Sequence, residues 1–189
     1  MSANDTITRK SKKTIIGMFW IKPPTDFYKL NVDGARQQNG NIAAGGVLRD
    51  HIGWWISSFI ANLGCGSVLQ AEAWGLLIGL KMASASQCHH LLVECDSEVL
   101  VSLINDGVDE LHPLKTIIDC CNSLRRQLWS CEITHVYREI NQVDDVLSKA
   151  GLDTDIGVHF MEQPPPQVMP SFLDDLCESP RFRNVVSDM

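Results

Sequence analysis

Four acidic residues, well separated along the chain, could form a metal centre if the fold brings them together: Asp33, Glu72, Asp96 and Asp145. A carboxylate cluster can hold two divalent cations about 4 Å apart, which activate water and stabilise the leaving oxygen when a phosphodiester is hydrolysed. Hard cations such as Mg²⁺ prefer oxygen ligands of this kind. The chemistry to look for is therefore metal-assisted hydrolysis, provided that the surrounding elements bring the acids together.

Asp33 and Glu72 differ in how strongly their surroundings favour this interpretation. Asp33 closes an alternating strand-like run and is followed by Gly34, a pair that often marks only a turn. Glu72 lies on the apolar stripe that Leu69 and Leu76 form at helical spacing. A carboxylate on such a stripe is costly to bury unless it is paired or bound to metal. Spacing alone leaves open metal ligation and a half-exposed position at the rim of a helix.

Asp96 and Asp145 also have simpler explanations. Asp96 stands at the C-terminal end of an apolar run, where α/β folds tend to place ligands, but it could also belong to a helix cap with Ser97. Asp145 lies in a helical pattern whose apolar face, marked by Val143 and Leu147, points away from it. Periodicity alone therefore favours a solvated acid at position 145.

The elements that must position these acids begin with strands and then alternate. Strand patterns at 27–32, 42–49 and 54–61 precede a helical pattern at 68–85, a short apolar strand at 91–95, helices from Ser97 to Gly107 and from Pro113, a strand at 132–137 and a helix at 141–150. The order β-β-β-α-β-α-α-β-α predicts an α/β fold in which helices cover a mixed sheet.

Both ends of the chain differ from this middle region. We expect a flexible basic leader at 1–26, a folded domain at 27–152 and a proline-containing acidic tail at 153–189. The basic run at 9–13 could be a nuclear localisation or nucleic-acid patch, although such runs are usually solvated. Because residues 1–20 and 163–189 lack periodic apolar patterning, they are predicted to add little to the fold.

Composition limits the classes of function. With 189 residues, 44% of them hydrophobic, the chain can bury one good core. A net charge of −7 argues against a basic nucleic-acid coat protein, but not against an enzyme that holds cations between carboxylates. No apolar run reaches the roughly 18–20 residues of a membrane helix. Seven cysteines without a C-x-x-C pair suggest reduced thiols in an intracellular compartment, either nuclear or cytoplasmic.

An ordered set of short motifs carries a more specific signal. The motifs are Lys29–Ala35, Ala44–Asp50, Ala71–Leu76, Val93–Ser97 and His135–Asn141, followed by Asp145 and Leu147. In this order they resemble the ribonuclease H-like domain of plant proteins and of non-LTR retroelement reverse-transcriptase polyproteins. The resemblance covers residues 20–152.

The resemblance implies a five-stranded mixed sheet flanked by helices and a role for each acid. Asp33, Glu72 and Asp96 match the core metal ligands of the family, and Asp145 matches the fourth acid because it follows Asn141 by four residues. It further implies two Mg²⁺ or Mn²⁺ ions and cleavage of the RNA strand of RNA–DNA hybrids. The sequence leaves the oligomeric state open, and we expect a monomer. Bacterial-type members carry a histidine in the loop before the last helix, whereas here that stretch is the short segment 137–140.

Two other functions stay open. The chain could be a domesticated relic of a retroelement that binds nucleic acid or protein without cutting, since a fold alone does not establish activity. It could also be a nuclease of the same fold with another substrate, such as an exonuclease acting on single strands. All four acids are present. A site that had lost its activity would have no physical reason to keep four carboxylates that repel one another, and this favours catalysis.

Overall fold

A mixed sheet of six strands forms the centre of the computed structural model, which describes residues 12–187. The strands are β1 (Lys12–Met18), β2 (Tyr28–Arg36), β3 (Asn41–Arg49), β4 (Trp55–Cys65), β5 (His90–Cys95), β6 (Ser130–His135), β7 (Gly157–Met161) and β8 (Arg181–Ser187). The helices are α1 (Val68–Ala85), α2 (Glu98–Asp106), α3 (Lys115–Arg125), α4 (Gln142–Gly151) and α5 (Met169–Leu176), with single 3₁₀ turns at Arg138–Ile140 and Pro166–Val168.

The strands lie in the order β6-β5-β2-β3-β4-β7. β2, β3 and β4 are antiparallel neighbours, β5 and β6 run parallel to β2, and β7 pairs antiparallel with β4. β1 and β8 form a separate antiparallel pair. The predicted α/β class, with three antiparallel strands followed by crossovers, is confirmed. The predicted five strands are all present, and the sixth, β7, comes from the segment expected to be a tail.

Two glycines allow helices to pack closely on opposite faces of the sheet. A Cβ added to Gly34 in β2 would lie 2.5 Å from the backbone nitrogen of Glu72 in α1. A Cβ added to Gly45 in β3 would lie 2.3 Å from the backbone nitrogen of Ser148 in α4. No larger residue could occupy either position without moving its helix. The close approach of α1 and α4 brings their acidic residues to the same end of the sheet.

The apolar core divides into two parts. The larger part packs α1, α2 and α3 against the sheet, and α1 begins at a capping box formed by Ser67 and Gln70. The smaller part packs α4 against the other face and includes Val168 and Phe172 from the C-terminal segment. Within residues 12–187 no helix combines the length and apolar character needed to cross a membrane.

The segments predicted to be a leader and a tail take part in packing. Trp20 is fully buried, as is Val168, and Phe172 is almost so. This packing argues against the prediction that residues 163–189 add little to the fold, because α5 covers the second face of the sheet. β7, from the segment before them, extends the sheet. The sequence did not indicate this packing, because the segment is rich in proline. In addition, α5 has only eight residues, too few to show a clear helical periodicity of apolar residues. The side chains of the basic run at 9–13 lie outside the described part of the chain.

Candidate active site

Asp33, Glu72 and Asp96 converge at the end of the sheet where β2 and β5 run side by side. The parallel register places Val32 opposite Cys95, so that Asp33 stands beside Asp96. The carboxyl groups of Asp33 and Asp96 lie close enough for each to shift the pKa of the other. Ligand atoms of Glu72, Cys95 and Asp96 all lie within 4.8 Å of one another. Three of the four predicted site residues therefore share one cluster.

Short-range contacts hold two of these carboxyls in place. The Ser148 hydroxyl of α4 donates a hydrogen bond to the carboxylate of Asp33. The Cys95 thiol of β5 donates a weak hydrogen bond to the Glu72 carboxylate, with 3.7 Å between sulfur and oxygen. Contacts from α4 and β5 thus fix these two acids before any ligand is present.

Burial and mutual repulsion make these acids unusually hard to ionise. Burial, followed by the negative charge of Asp96, raises the pKa of Asp33 to about 7. Burial, followed by the charges of Asp33 and Asp96, raises the pKa of Glu72 to about 9. Burial also raises the pKa of Asp96. In the absence of cations the cluster therefore retains protons near neutral pH, and a cation that replaces them would relieve the repulsion.

Asp145 lies at the open edge of the cluster. Its carboxylate accepts hydrogen bonds from Arg138 in the preceding turn and from Lys149 one turn later in α4. After burial and Asp96, the charge of Asp145 is a further cause of the raised pKa of Asp33, so these carboxylates are close enough to interact. The structure therefore places Asp145 near the other three acids, at the side of the cluster where it pairs with Arg138 and Lys149.

Asp144 has the opposite environment from its neighbour, because adjacent helical residues point about 100° apart. It is fully buried, and neither carboxylate oxygen has a hydrogen-bond partner among the described residues. Burial, with a smaller contribution from the charge of Asp33, raises the pKa of Asp144 well above its ordinary value. Of the two neighbours, Asp145 rather than Asp144 is partly exposed.

Replacing Asp144 with alanine is expected to stabilise the fold by about 1–3 kcal/mol at neutral pH, the usual cost of a buried polar group without a partner. The gain should grow as the pH rises above about 4, because the unfolded carboxyl ionises there while the folded one does not. Urea unfolding at several pH values measures this, with the exposed Asp153→Ala as control. A destabilised Asp144→Ala would show that the carboxyl makes a useful contact.

A buried polar network lies beneath the cluster and centres on Asn31 of β2. Its amide nitrogen donates to Glu94 and to Asn141, each at 2.9 Å. Its amide oxygen accepts from Arg49 at 2.8 Å and from Trp20 at 3.1 Å. The carboxylate of Glu94 is thus already hydrogen-bonded within this network, on the side of β5 away from the thiol of Cys95. Of the two acids near the end of β5, Glu94 and Asp96, this supports Asp96 as the one that faces the cluster.

Asn141 illustrates how tertiary contacts override a local signal. It occupies the predicted N-cap position of α4, but its side chain makes no capping hydrogen bond. Instead its amide nitrogen donates to the carbonyl of Val32 at 3.1 Å, and its oxygen accepts from Asn31. Asn141 therefore ties the start of α4, which carries Asp145, directly to the strand that carries Asp33.

The network continues into the C-terminal segment through one buried carboxylate. Asp175 of α5 accepts hydrogen bonds from Arg49 and from Arg181, both at 2.6 Å, and Arg49 stacks on Trp20 at 3.6 Å from the ring centre. Sequence reasoning missed these residues. Arg49, within a strand pattern of mostly apolar residues, was the one available signal, whereas nothing in the local pattern marked Asp175.

Comparison with known proteins agrees with this architecture. The family model described as "Reverse transcriptase-like" matches residues 31–151, which include all four acids. The chain belongs to this family of ribonuclease H-like domains. An Arabidopsis thaliana protein named "Putative ribonuclease H protein" is 35% identical over 180 residues, or 95% of this chain. The chain spans 29% of the length of that relative.

Solved structures show the same fold for this ribonuclease H-like domain. RNase H1 from the archaeon Halobacterium salinarum NRC-1 is 26% identical, with a TM-score of 0.63 over 67% of this chain and 98% of that one. LC11-RNase H1, solved in complex with RNA/DNA hybrid, is 21% identical with a TM-score of 0.61 over 67% of this chain and 96% of that one. The predicted family and ribonuclease H-like fold are therefore confirmed, and the domain is homologous to RNase H1 enzymes.

Proposed function

We propose that this domain hydrolyses the RNA strand of RNA–DNA hybrids, with Asp33, Glu72, Asp96 and Asp145 as ligands of two divalent cations, Mg²⁺ or Mn²⁺. The observation that carries the proposal is the clustering of Asp33, Glu72 and Asp96 from separate elements at one end of the sheet, with Asp145 close enough to act on Asp33. Isolated buried carboxyls are costly, and their clustering is difficult to explain without a positive ligand. The solved relative bound to RNA/DNA hybrid supports the choice of substrate.

The residues present fit a hard divalent cation. The carboxylate oxygens of Asp33, Glu72 and Asp96 are suitable donors for Mg²⁺ or Mn²⁺ and already lie in mutual contact. When bound, two cations would supply an activated water and stabilise charge on the leaving oxygen. The chain itself supplies the orientation: Ser148 holds Asp33, and the Cys95 thiol contacts Glu72.

Asp145 would be the outermost metal ligand of the four. Arg138 and Lys149 hold its carboxylate at the edge of the cleft, with only 15% of the side chain exposed. These two cationic side chains hold the carboxylate of Asp145 in one place. A strand whose scissile phosphate lay on the acids would be recognised as RNA through its 2′-hydroxyl and through the minor-groove shape of the hybrid.

The direct test is cleavage of three labelled substrates by the purified chain in Mg²⁺: RNA–DNA hybrid, duplex DNA and duplex RNA. We expect cuts within the RNA strand of the hybrid and none in the other duplexes. Removal of one nucleotide at a time from a single strand would instead support an exonuclease. Tight hybrid binding without cleavage would support the relic. The two ion pairs that already occupy Asp145 are the feature that favours this alternative.

Metal should stabilise the fold, and more strongly at higher pH. The folded-state pKa values of Asp33 and Glu72, about 7 and 9, lie above their ordinary values of 3.8 and 4.5. The stability they contribute is therefore complete below about pH 4 and is lost as the pH rises through about 7 and 9. Mg²⁺ that replaces the protons should restore it, by about 2.7 kcal/mol at a concentration 100 times its Kd.

Thermal melts with Mg²⁺ and with chelator, at about pH 6 and about pH 9, measure this effect. The difference in Tm between the two conditions should be larger at the higher pH. The Asp33→Asn variant is the matched control and should show a smaller response to metal. A Tm that metal and chelator leave unchanged at both pH values would contradict the metal site.

A further inference from the structure

A groove of about 470 Å³, lined mostly by charged and polar residues, opens at Asp145, beside the acidic cluster. Its walls come from the 3₁₀ turn Arg138–Ile140, the first turn of α4, Ser171 of α5 and Arg183 of β8. Asp145 lies at its border and is shared with the cleft. The groove therefore continues the candidate active site onto the C-terminal segment, outside the region 31–151 that the family model covers.

Arg183 is the residue that the C-terminal segment contributes to this groove. The carbon at the centre of its guanidinium lies 4.1 Å from the centre of the Tyr137 ring, and 37% of the side chain is exposed. Its Nη1 donates to Glu139 at 3.1 Å. Among residues 12–187 no hydrogen-bond acceptor is recorded for its Nε and Nη2. The guanidinium is thus fixed by stacking and retains free donors.

We propose that this groove binds a phosphodiester of the nucleic-acid strand that passes the acidic cleft, with Arg183 as its main ligand. The inference rests on the proposed function only for the position of that strand. A planar guanidinium that is stacked on an aromatic ring is well suited to a phosphate, because it can donate two parallel hydrogen bonds and loses little conformational freedom on binding. The site supplies the basic contact that the acidic composition of the chain did not indicate.

Substitutions of Glu139 and of Arg183 are expected to change phosphate binding in opposite directions. Its carboxylate pairs with Arg183 in the free protein and would compete with a phosphate for the same guanidinium. Removing the charge of Glu139 should therefore strengthen phosphate binding, whereas removing Arg183 should weaken it. If the pair only held β8 against the turn, both changes would loosen the structure and neither would improve binding.

The test measures binding rather than cleavage. Fluorescence anisotropy with labelled hybrid, in Mg²⁺ and in an Asp96→Asn background, gives Kd as a function of salt concentration. Arg183→Ala is expected to weaken binding by roughly threefold to tenfold and to lower the slope of log Kd against log salt by about 1, as for one lost phosphate contact. Glu139→Gln should tighten binding. The exposed Arg126→Ala, on the distant end of α3, is the control and should change neither quantity.

A second experiment identifies which phosphate of the hybrid contacts Arg183. Hybrids that carry one uncharged methylphosphonate linkage at successive positions should include a position at which the parent loses affinity and the Arg183→Ala variant loses no more. Unchanged affinity and salt slope for Arg183→Ala would overturn the proposal, as would weakening by both Arg183→Ala and Glu139→Gln. Because the background does not need to cut, these results are independent of whether the chain cleaves hybrid.

Discussion

Replacing Asp96 or Asp145 with asparagine is expected to reduce hybrid cleavage by about 1,000-fold or more. Asparagine keeps the size of the side chain but removes the negative charge that would hold a cation, and metal contributes several kcal/mol to such reactions. Cleavage rates of purified variants in Mg²⁺, with folding checked by circular dichroism, measure the effect. The result would show that two acids from different elements act on one reaction.

Two neighbouring acids provide matched controls for these substitutions. Glu94→Gln and Asp144→Asn should largely keep cleavage, because Glu94 bonds to Lys29 and Asn31 and Asp144 is buried away from the cleft. An inactive Asp144→Asn combined with an active Asp145→Asn would show that the assigned register of α4 is wrong by one residue. Four variants that all match an inactive parent would favour the relic.

Replacing Asp175 with asparagine is expected to destabilise the fold by about 3–5 kcal/mol. The change leaves Arg49, which is 1% exposed, and Arg181 buried without a counter-charge, and breaking a buried ion pair from one side has costs of this size. Chemical denaturation in urea measures it. The exposed neighbour Asp174→Asn should cost less than about 0.5 kcal/mol. A loss below about 1 kcal/mol for Asp175→Asn would mean that water replaces the carboxylate.

This buried pair also changes what is expected of a shortened chain. If the end segments added little, a fragment of residues 21–162 would unfold with nearly the parent stability. Such a fragment lacks Asp175, Phe172 and Trp20, and so it exposes one part of the core and leaves Arg49 unpaired. Because Arg49 also bonds to Asn31, the loss would reach the network that fixes α4 beside β2. The C-terminal segment therefore supports the candidate site as well as the fold.

Local patterns in the sequence determined the elements and part of the site. Helix α1 was predicted at its observed bounds, because an 18-residue helix shows its period clearly. Glu72 was marked by its place on the apolar stripe of that helix, and Asp96 by its position at the end of a buried strand. The choice of Asp145 over Asp144 came from the ordered motifs alone, since periodicity favoured a solvated acid there.

The tertiary structure decided whatever depends on residues far apart in the chain. The partners of Asn31 are separated from it by 11, 18, 63 and 110 residues, and Asp175 lies 126 residues from Arg49. No local pattern encodes such pairings, because periodicity reports only which face of an element is apolar. For the same reason, the sequence did not predict the roles of β7 and Arg183. Their roles follow from where the last 37 residues return to the sheet, which the packing of the whole chain sets.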